Sequence, residues 1–429
     1  MGYENLYLLP LVYAIVFVTF ISPILFKKTN IFIIVFTAVS FTRYVILPFL
    51  IVFSQHYGGR SILPPSISSY STAINLMFYE LIIVSIFIFL LFIKLKIKKE
   101  EESNIIRFPE NHLVYIIFVV FSFSLLLVDV SAINTFSFIN PSESTISFGE
   151  SGTLTSLIAY CLLISKYIIY LLSMSFLYKM YKVKNNQLYV FLSLFITMLN
   201  IMIIFGDNRT DLILTAIASI YIFYRLYPNL LKILAPILLI LVIFLIMNVT
   251  EHRQSATITG GGDQIVDLTD TLQIYLGGPY NVAMAIETSE EFSNSRNLGN
   301  LFYDFFRPAL GFNMILKDLE GFEFSNYLYN YRIYHSDHVA QIIPMVGQGY
   351  FYLGFIFAPL LHLIFYYFAY KLITISFKVR RIELLFFLYM PITRMGFAMG
   401  QNAGILINDT SYTLVLGLVV YWLNKKIKW

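Results

Sequence analysis

Residues 188–227 read LYVFLSLFITMLNIMIIFGDNRTDLILTAIASIYIFYRLY. Two apolar runs flank the short polar sequence FGDNRTD at residues 205–211, and each run is long enough to cross a membrane as a helix. An arginine between two aspartates is costly so close to hydrocarbon. The pattern predicts a pair of membrane helices whose connecting turn is a candidate functional site.

The same apolar character extends along the chain. Of the 429 residues, 58% are hydrophobic and only 13% are charged, which leaves too little polar surface to cover a soluble globule. Apolar runs of about 17 to 25 residues suit membrane-spanning helices and are too long for the strands of an outer-membrane barrel. We therefore predict an all-α polytopic membrane protein. Eleven transmembrane helices are expected, at residues 6–26, 31–53, 73–93, 113–133, 154–178, 188–205, 210–227, 230–249, 344–372, 383–400 and 405–424.

Lysine clusters fix the predicted orientation. The first apolar run is followed by Lys27 and Lys28, which indicates a retained helix with its N-terminus outside. Alternation from there puts the remaining lysine-rich loops and the C-terminus on the cytoplasmic side. The single cysteine, Cys161, lies in an apolar run, so an intramolecular disulfide is excluded.

Between the eighth and ninth helices, residues 250–343 are too polar to span a membrane and too aromatic to be a disordered linker. We expect three parts: residues 1–249 with helices 1–8, an external loop domain at 250–343, and residues 344–429 with helices 9–11. After a break at GGGD (260–263), apolar residues recur at helical spacing until GGP at 277–279. A second apolar face ends at Pro308, so the loop is expected to contain amphipathic helices in the membrane interface. The two faces consist of Ile265, Leu268, Leu272 and Tyr275, and of Leu298, Leu301, Phe302, Phe305 and Phe306.

The 29 basic residues differ in type between the two predicted sides. The cytoplasmic ones are fifteen lysines and four arginines, whereas those outside or within spans are eight arginines and two lysines. Arginine binds phosphate through a planar, permanently charged fork, which a topology signal does not require. The external face is therefore expected to hold a phosphate-bearing group.

Arg209, in the opening turn, is the first candidate. It is flanked by Asp207 and Asp211. One interpretation is an interfacial arginine that reaches water and pairs with an aspartate. The other is a guanidinium that faces a cavity, with the aspartates orienting it or acting as a catalytic carboxylate.

Arg43 lies near the middle of the second helix, about ten residues or ~15 Å from its outer end, too deep to reach water. A buried ion pair with Glu80 or Asp129 that fixes helix packing is one alternative. A water-filled cavity lined by Arg43 and Glu80, which would bind substrate, is the other. The same two alternatives apply to Lys166 in the fifth helix.

The remaining arginines of the external side are individually typical of solvated surface charge and collectively favour an anion site. The candidate pyrophosphate- or substrate-binding residues, besides Arg43 and Glu80, are Arg253, Arg296, Arg307, Arg332, Arg394, Tyr275 and Tyr280.

The sequence YHSDH at residues 334–338 contains His335, Asp337 and His338. Two histidines three apart can ligate a metal on a helix, but no third ligand has supporting spacing. A general base drawn from this trio, or an ordinary polar loop, fits better. We expect no metal and no other cofactor.

FGDNRTDLI at the start of a span, the long external loop, and QIIPMVGQGYFYLGF at 341–355 entering the next helix together resemble the bacterial O-antigen and capsular repeat-unit polymerases. The resemblance covers most of residues 195–375. Residue by residue, only Arg209 matches the arginine turn of that family. Arginines also occur in the long loop, as expected for that family, but none of them is matched to a particular arginine of the family.

The resemblance implies a glycosyltransferase in the bacterial plasma (inner) membrane whose site faces the outside or periplasm. The growing glycan on undecaprenyl pyrophosphate is transferred to the terminal sugar of a new lipid-linked repeat unit. The partners it implies are that lipid-linked oligosaccharide as donor and acceptor, the lipid bilayer, a chain-length regulator and a flippase, with no nucleic acid. The base is left open among Asp207, Asp211, His335, Asp337 and His338.

Two other functions remain open. An O-antigen ligase, or another lipid-linked-sugar glycosyltransferase, would use a similar external arginine-lined site. A non-enzymatic flippase for the same lipid-linked sugar is less favoured, since transporters commonly show internal repeats and none is visible here.

Overall fold

The computed structural model describes residues 4–59, 61–95, 107–109, 112–141, 145, 152–206, 209–254, 263–316, 319–337 and 341–427. The chain is predominantly helical, and it divides into two compact units. Unit 1 consists of Met1–Ile97, Thr259–Thr374 and Ile392–Asp409, and unit 2 of Lys98–Ile258, Ile375–Pro391 and Thr410–Trp429. The two units are defined by packing, whereas the three predicted parts are defined by their position relative to the membrane. The division into three parts therefore stays a prediction.

The elements, numbered along the chain, are α1 (Asn5–Lys27), α2 (Ile31–Ser54), α3 (Ile67–Ile93), α4 (Leu113–Leu127), β1 (Phe136–Phe138), α5 (Thr153–Lys184), α6 (Leu188–Met202), β2 (Ile203–Phe205), α7 (Arg209–Leu226), α8 (Pro228–Gln254), α9 (Gln264–Leu276), α10 (Pro279–Glu291), α11 (Leu298–Phe306), α12 (Asn313–Leu316), α13 (Ser325–Tyr334), α14 (Met345–Phe357), α15 (Leu360–Ser376), α16 (Ile382–Gly396) and α17 (Ala403–Lys426).

Among the described residues, five helices are long and apolar enough to cross a membrane: α1, α2, α3, α5 and α17. The count rises to six if α14 and α15 form one span. The helix predicted at 344–372 is thus two helices, with a bend of 106° between them. Gly354 has a φ of +73° inside α14, a conformation that favours glycine and interrupts the regular helix. The fold is that of an all-α membrane protein, and the eleven spans and their orientation stay predictions.

Polar caps explain several helix ends. The Asn30 side chain accepts a hydrogen bond from Ile33 N at the start of α2, and the Ser66 side chain accepts one from Ser69 N at the start of α3. Asp263 caps α9 in the same way, and Gly277 ends it with a φ of +62°. The helix predicted to stop at GGP is confirmed, as is the one predicted to precede Pro308, which is α11.

In unit 1, α10 is a core helix. Every residue from Pro279 to Ile286 is buried, and the helix packs against α3 and α14. A Cβ added at Gly347 of α14 would lie 2.5 Å from the Cβ of Ala285, so these two helices are in close contact. Part of the predicted external loop is therefore integral to the packing of this unit.

The amphipathic helices of the loop bury their polar sides. In α9, Thr269, Asp270 and Gln273 are buried, whereas Ile265 and Leu268 are 40% and 48% exposed. In α11, Asn300, Tyr303 and Asp304 are buried, and Leu298, Phe302 and Phe306 are exposed. Outward-facing apolar side chains are typical of helices in contact with lipid.

Unit 2 is built around α5, which packs against α4 and α6, while α7 packs against α6 and α8. Two tyrosines fix α5 to α7: Tyr167 Oη hydrogen bonds with Thr215 Oγ1 at 2.9 Å, and Tyr170 Oη donates to the Ser219 carbonyl at 2.9 Å. Strands β1 and β2 pair antiparallel, with Phe136 opposite Phe205 and Phe138 opposite Ile203. Strand β2 follows α6 directly and leads into the turn before α7.

Candidate functional site

The turn that carries Arg209 connects β2 to α7. Gly206, with a φ of +62°, follows β2, and its N–H donates to the Thr135 carbonyl at 2.6 Å. Arg209 is the first residue of α7. Asp207 lies outside the described residues, as does the side chain of Arg209. The backbone nevertheless places the arginine at the N-terminus of an 18-residue helix, where peptide dipoles favour anions.

Lys166 of α5 lies beside the same turn. Its Nζ donates to the Ile203 carbonyl of β2 at 2.6 Å, and it interacts electrostatically with Asp211 in the first turn of α7. Two basic residues, Lys166 and Arg209, therefore belong to one small region around β2 and the start of α7. Lys166 matches neither sequence alternative, a buried ion pair or a water-filled cavity, in full. It donates to a backbone carbonyl and interacts electrostatically with Asp211, which is half-buried.

An apolar groove of about 440 Å³ adjoins Lys166. Its walls come from α4, α5, α6 and the two strands. Of the thirteen described residues that line it, nine have hydrocarbon side chains and one, Lys166, has a basic side chain. The lining residues are Phe123, Leu126, Ile133, Phe136, Leu162, Lys166, Ile169, Tyr170, Ser173, Ile196, Leu199, Asn200 and Ile203.

Asn200 supplies a second polar group to this groove. The residue is 4% exposed, and its Nδ2 donates to Ser219 Oγ at 2.8 Å. Its Oδ1 is buried with no hydrogen-bond partner among the described residues. The groove lining therefore combines the Lys166 amine, a hydrogen-bond donor, with a buried amide among mostly apolar side chains.

In unit 1, Arg43 and Glu80 form the buried ion pair that was one of the two sequence alternatives. Arg43 Nη1 lies 2.7 Å from Glu80 Oε1, and both side chains are 0% exposed. Arg43 Nε donates to the Gly277 carbonyl at 3.0 Å. The turn Thr42–Ile46 is a π-helix, so the consecutive residues Arg43 and Tyr44 both reach the Glu80 carboxylate.

His362 of α15 completes this cluster, with its Nε2 3.3 Å from Glu80 Oε1. Arg43 Nη2 and both His362 ring nitrogens are buried without a hydrogen-bond partner in the part of the chain that the structure describes. The sequence does not link His362 to this cluster, because Arg43 and Glu80 lie far away along the chain. The cluster faces protein rather than an open cavity, so neither Arg43 nor Glu80 is presented to a ligand.

The other predicted arginines of unit 1 each have a partner of their own. Arg296 Nε donates to the Phe351 carbonyl at 3.0 Å, and Arg307 stacks over the Phe324 ring at 4.0 Å. Arg332 pairs with two glutamates of α10, Glu287 at 2.5 Å and Glu291 at 3.1 Å, and Arg394 lies 2.5 Å from Asp409. Arg253 belongs to unit 2, and its side chain lies outside the described residues. Within unit 1 the structure does not bring these guanidinium groups together around one cavity.

The two candidate tyrosines also serve the packing of unit 1. Tyr280 is buried, and its Oη accepts a hydrogen bond from Ser61 N at 2.8 Å. Burial raises the pKa of Tyr280 to about 12, so the phenol stays protonated at neutral pH. The carbonyl of Tyr275 would lie 2.1 Å from a Cβ at Gly400, which makes this glycine a close-packing position.

The YHSDH segment lies at the surface of unit 1. His335 ends α13 with a φ of +48° and is exposed, and Asp337 accepts a hydrogen bond from Tyr327 Oη at 2.7 Å. That bond raises the pKa of Tyr327. His338 lies outside the described residues. Among the described residues, no group of three His, Cys, Asp or Glu side chains is suited to bind a metal.

The fold and these sites define the chain as a polytopic helical membrane protein with a polar turn and an apolar groove in unit 2. No protein-family model, no characterised protein and no solved structure matches it significantly.

Proposed function

We propose that this protein is a polymerase of undecaprenyl-pyrophosphate-linked oligosaccharide repeat units, acting at the outer face of the bacterial plasma membrane. The growing glycan is the donor, and the terminal sugar of a new lipid-linked unit is the acceptor. The proposal combines the resemblance of the Arg209 turn and the long loop to these polymerases with the arrangement of unit 2.

One observation carries it: the structure groups Lys166, Asp211 and the N-terminus of α7, which begins with Arg209, beside β2 in a membrane protein. A lysine, an arginine and a helix N-terminus together favour an anion of more than one charge. An adjoining apolar groove favours a ligand that is also a lipid. A polyprenyl diphosphate has both properties.

In the proposed reaction, an acceptor hydroxyl attacks the anomeric carbon of the donor glycan. The bond between that carbon and the diphosphate oxygen breaks as the new glycosidic bond forms, and the lipid diphosphate leaves with the electron pair. Positive groups around Arg209 stabilise the charge that develops on the leaving oxygen. The proton of the hydroxyl passes to a carboxylate beside Arg209, for which Asp207 and Asp211 are the nearest candidates in the sequence.

The test is reconstitution. The purified protein in nanodiscs is incubated with undecaprenyl-pyrophosphate-linked repeat units, extracted from source cells that lack this chain, and the released glycans are sized. A ladder of products that differ by one repeat unit supports the proposal. Transfer only to an added lipid A core would indicate a ligase instead.

A matched pair of variants guards against a contaminating activity. Arg209→Lys should lose the ladder, whereas Arg225→Lys, at the other end of the same helix, should keep it. Arg225 hydrogen bonds only to Tyr221 Oη, at 3.3 Å, within its own helix among the described contacts. If no covalent product forms but labelled lipid-linked units cross the membrane of proteoliposomes, the protein is a transporter and the proposal fails.

A further inference from the structure

The apolar groove of unit 2 has features of a binding site rather than of an incidental gap between helices. Its 440 Å³ lies within the range typical of small-ligand sites, about 300–1,000 Å³. It is bounded by three helices and the two-stranded sheet, so its shape is set by several elements.

The groove opens on the apolar surface of the unit. Phe123 of α4, Ile133 after α4, and Ile169 of α5 are 51%, 50% and 42% exposed, whereas Leu162 and Tyr170 at its inner wall are buried. In a membrane, such a mouth is reached from the lipid phase rather than from water. The ligand that enters it is therefore apolar along most of its length.

Lys166 makes the site selective. Its Nζ donates one hydrogen bond to the Ile203 carbonyl at 2.6 Å, and an amine nitrogen can donate more than one. A purely hydrocarbon ligand would leave the remaining donor capacity of Lys166 unused, which costs free energy in an apolar setting. The ligand therefore carries acceptor oxygens for Lys166 at one end.

We propose that this groove holds the first isoprene units of a polyprenyl diphosphate, with the diphosphate at Lys166. The assignment of an isoprenoid, rather than another lipid chain, rests on the proposed function. The anionic head and the lateral entry rest on the groove itself. The position of Ile203, which lines the groove and lies just ahead of the Arg209 turn, connects the chain-binding site with the reacting end of the donor.

The experiment measures binding of undecaprenyl diphosphate, undecaprenol and phosphatidylglycerol to the detergent-purified full chain by native mass spectrometry. Leu199→Trp fills the groove from α6, and Phe195→Trp places the same ring one helical turn away on a side chain that is 56% exposed and does not line the groove. We expect at least a tenfold weaker affinity for undecaprenyl diphosphate in Leu199→Trp and an unchanged affinity in Phe195→Trp. Lys166→Gln should abolish the preference for the diphosphate over the uncharged alcohol.

Ile169→Trp, at the exposed mouth of the groove, is a second blocking variant in case Leu199→Trp does not fold, as judged by its melting temperature. Equal affinities in the blocking and control variants would overturn the proposal, as would equal binding of phosphatidylglycerol. The two proposals fail separately. Groove-dependent binding without glycan ladders refutes the polymerase alone, and ladders with unchanged donor KM in both blocking variants refute the groove alone.

Discussion

Unit 1 and unit 2 each place a basic side chain among membrane helices, and the surroundings of the two side chains differ. Arg43 is enclosed by Glu80, Tyr44 and the Gly277 carbonyl and is 0% exposed. Lys166 borders a groove and donates to the Ile203 carbonyl. It also interacts electrostatically with Asp211, a half-buried residue in the first turn of α7.

The difference indicates that a basic side chain among membrane helices can have either of two roles, in stability or in ligand binding. A buried charge that is paired with an opposite charge holds helices in register, and its loss destabilises the fold. A buried charge beside an apolar groove keeps part of its donor capacity for something that enters. We therefore expect variants in the first cluster to change the free energy of unfolding, and variants near the second to change activity.

The largest effect is expected for Glu80→Gln. Without the carboxylate, the Arg43 charge stays buried and uncompensated, which costs about 3–5 kcal/mol of unfolding free energy. Chemical denaturation in detergent measures this loss. Glu291→Gln is the control, because Glu291 is 44% exposed and its pairing with Arg332 contributes at most about 1 kcal/mol. Equal stability of the two variants would show that Arg43 does not depend on Glu80.

Arg209→Lys comes next. A point charge replaces the planar fork while the net charge is retained, so polymer formation should fall about a hundredfold, as when one preorganised donor to a developing anion is removed. Glycan sizing at matched expression, with Arg225→Lys alongside, measures the fall. A normal distribution of polymer lengths in Arg209→Lys would remove this residue from the mechanism.

Gly277→Ala tests how closely unit 1 is packed around the Arg43–Glu80 ion pair. An added Cβ would lie 2.7 Å from Pro344 Cβ and 3.1 Å from the Met399 carbonyl, at a φ of +62°. We expect a loss of about 1–3 kcal/mol from strain and contact together. Gly311→Ala separates the two causes, because its φ is +86° and nothing lies within 4 Å of the added Cβ. Equal melting temperatures of the two variants would show that the close packing at Gly277 is not limiting.

Asp337→Asn should have the smallest effect. The carboxylate is exposed and accepts one hydrogen bond from Tyr327, so its change should cost under about 1 kcal/mol and leave glycan ladders intact. Ladder formation and melting temperature are measured on the same preparation. A loss of ladders without a loss of stability would move the catalytic base from the Arg209 turn to residues 335–338.

Several features follow from sequence because their causes are local. The caps at Asp263 and Gly277 bound α9, and α7 begins within the polar segment at 205–211. The Arg43–Glu80 pair could be listed as an alternative because an arginine in mid-helix must find a carboxylate.

Other features depend on contacts between distant segments. Strands β1 and β2 have three residues each, too few to show a period. Strand β2 lies inside the helix predicted at 188–205, and β1 follows the helix predicted at 113–133. The addition of His362 to the Glu80 cluster, and the groove beside Lys166, arise only when separate helices pack together. The bend of 106° between α14 and α15 falls within a continuous apolar run, where hydropathy gives no sign of a change in direction.

The pairing of β1 with β2 also sets an order of assembly. Since β2 is synthesised only after all of α5 and α6, the backbone of residues 136–138 must wait for its partner while the ribosome adds both helices. The turn with Arg209 follows β2 immediately, so its final geometry is fixed late, once the ribbon has closed. A nascent chain arrested before residue 203 would hold the helices that wall the groove, yet lack the strand that completes it.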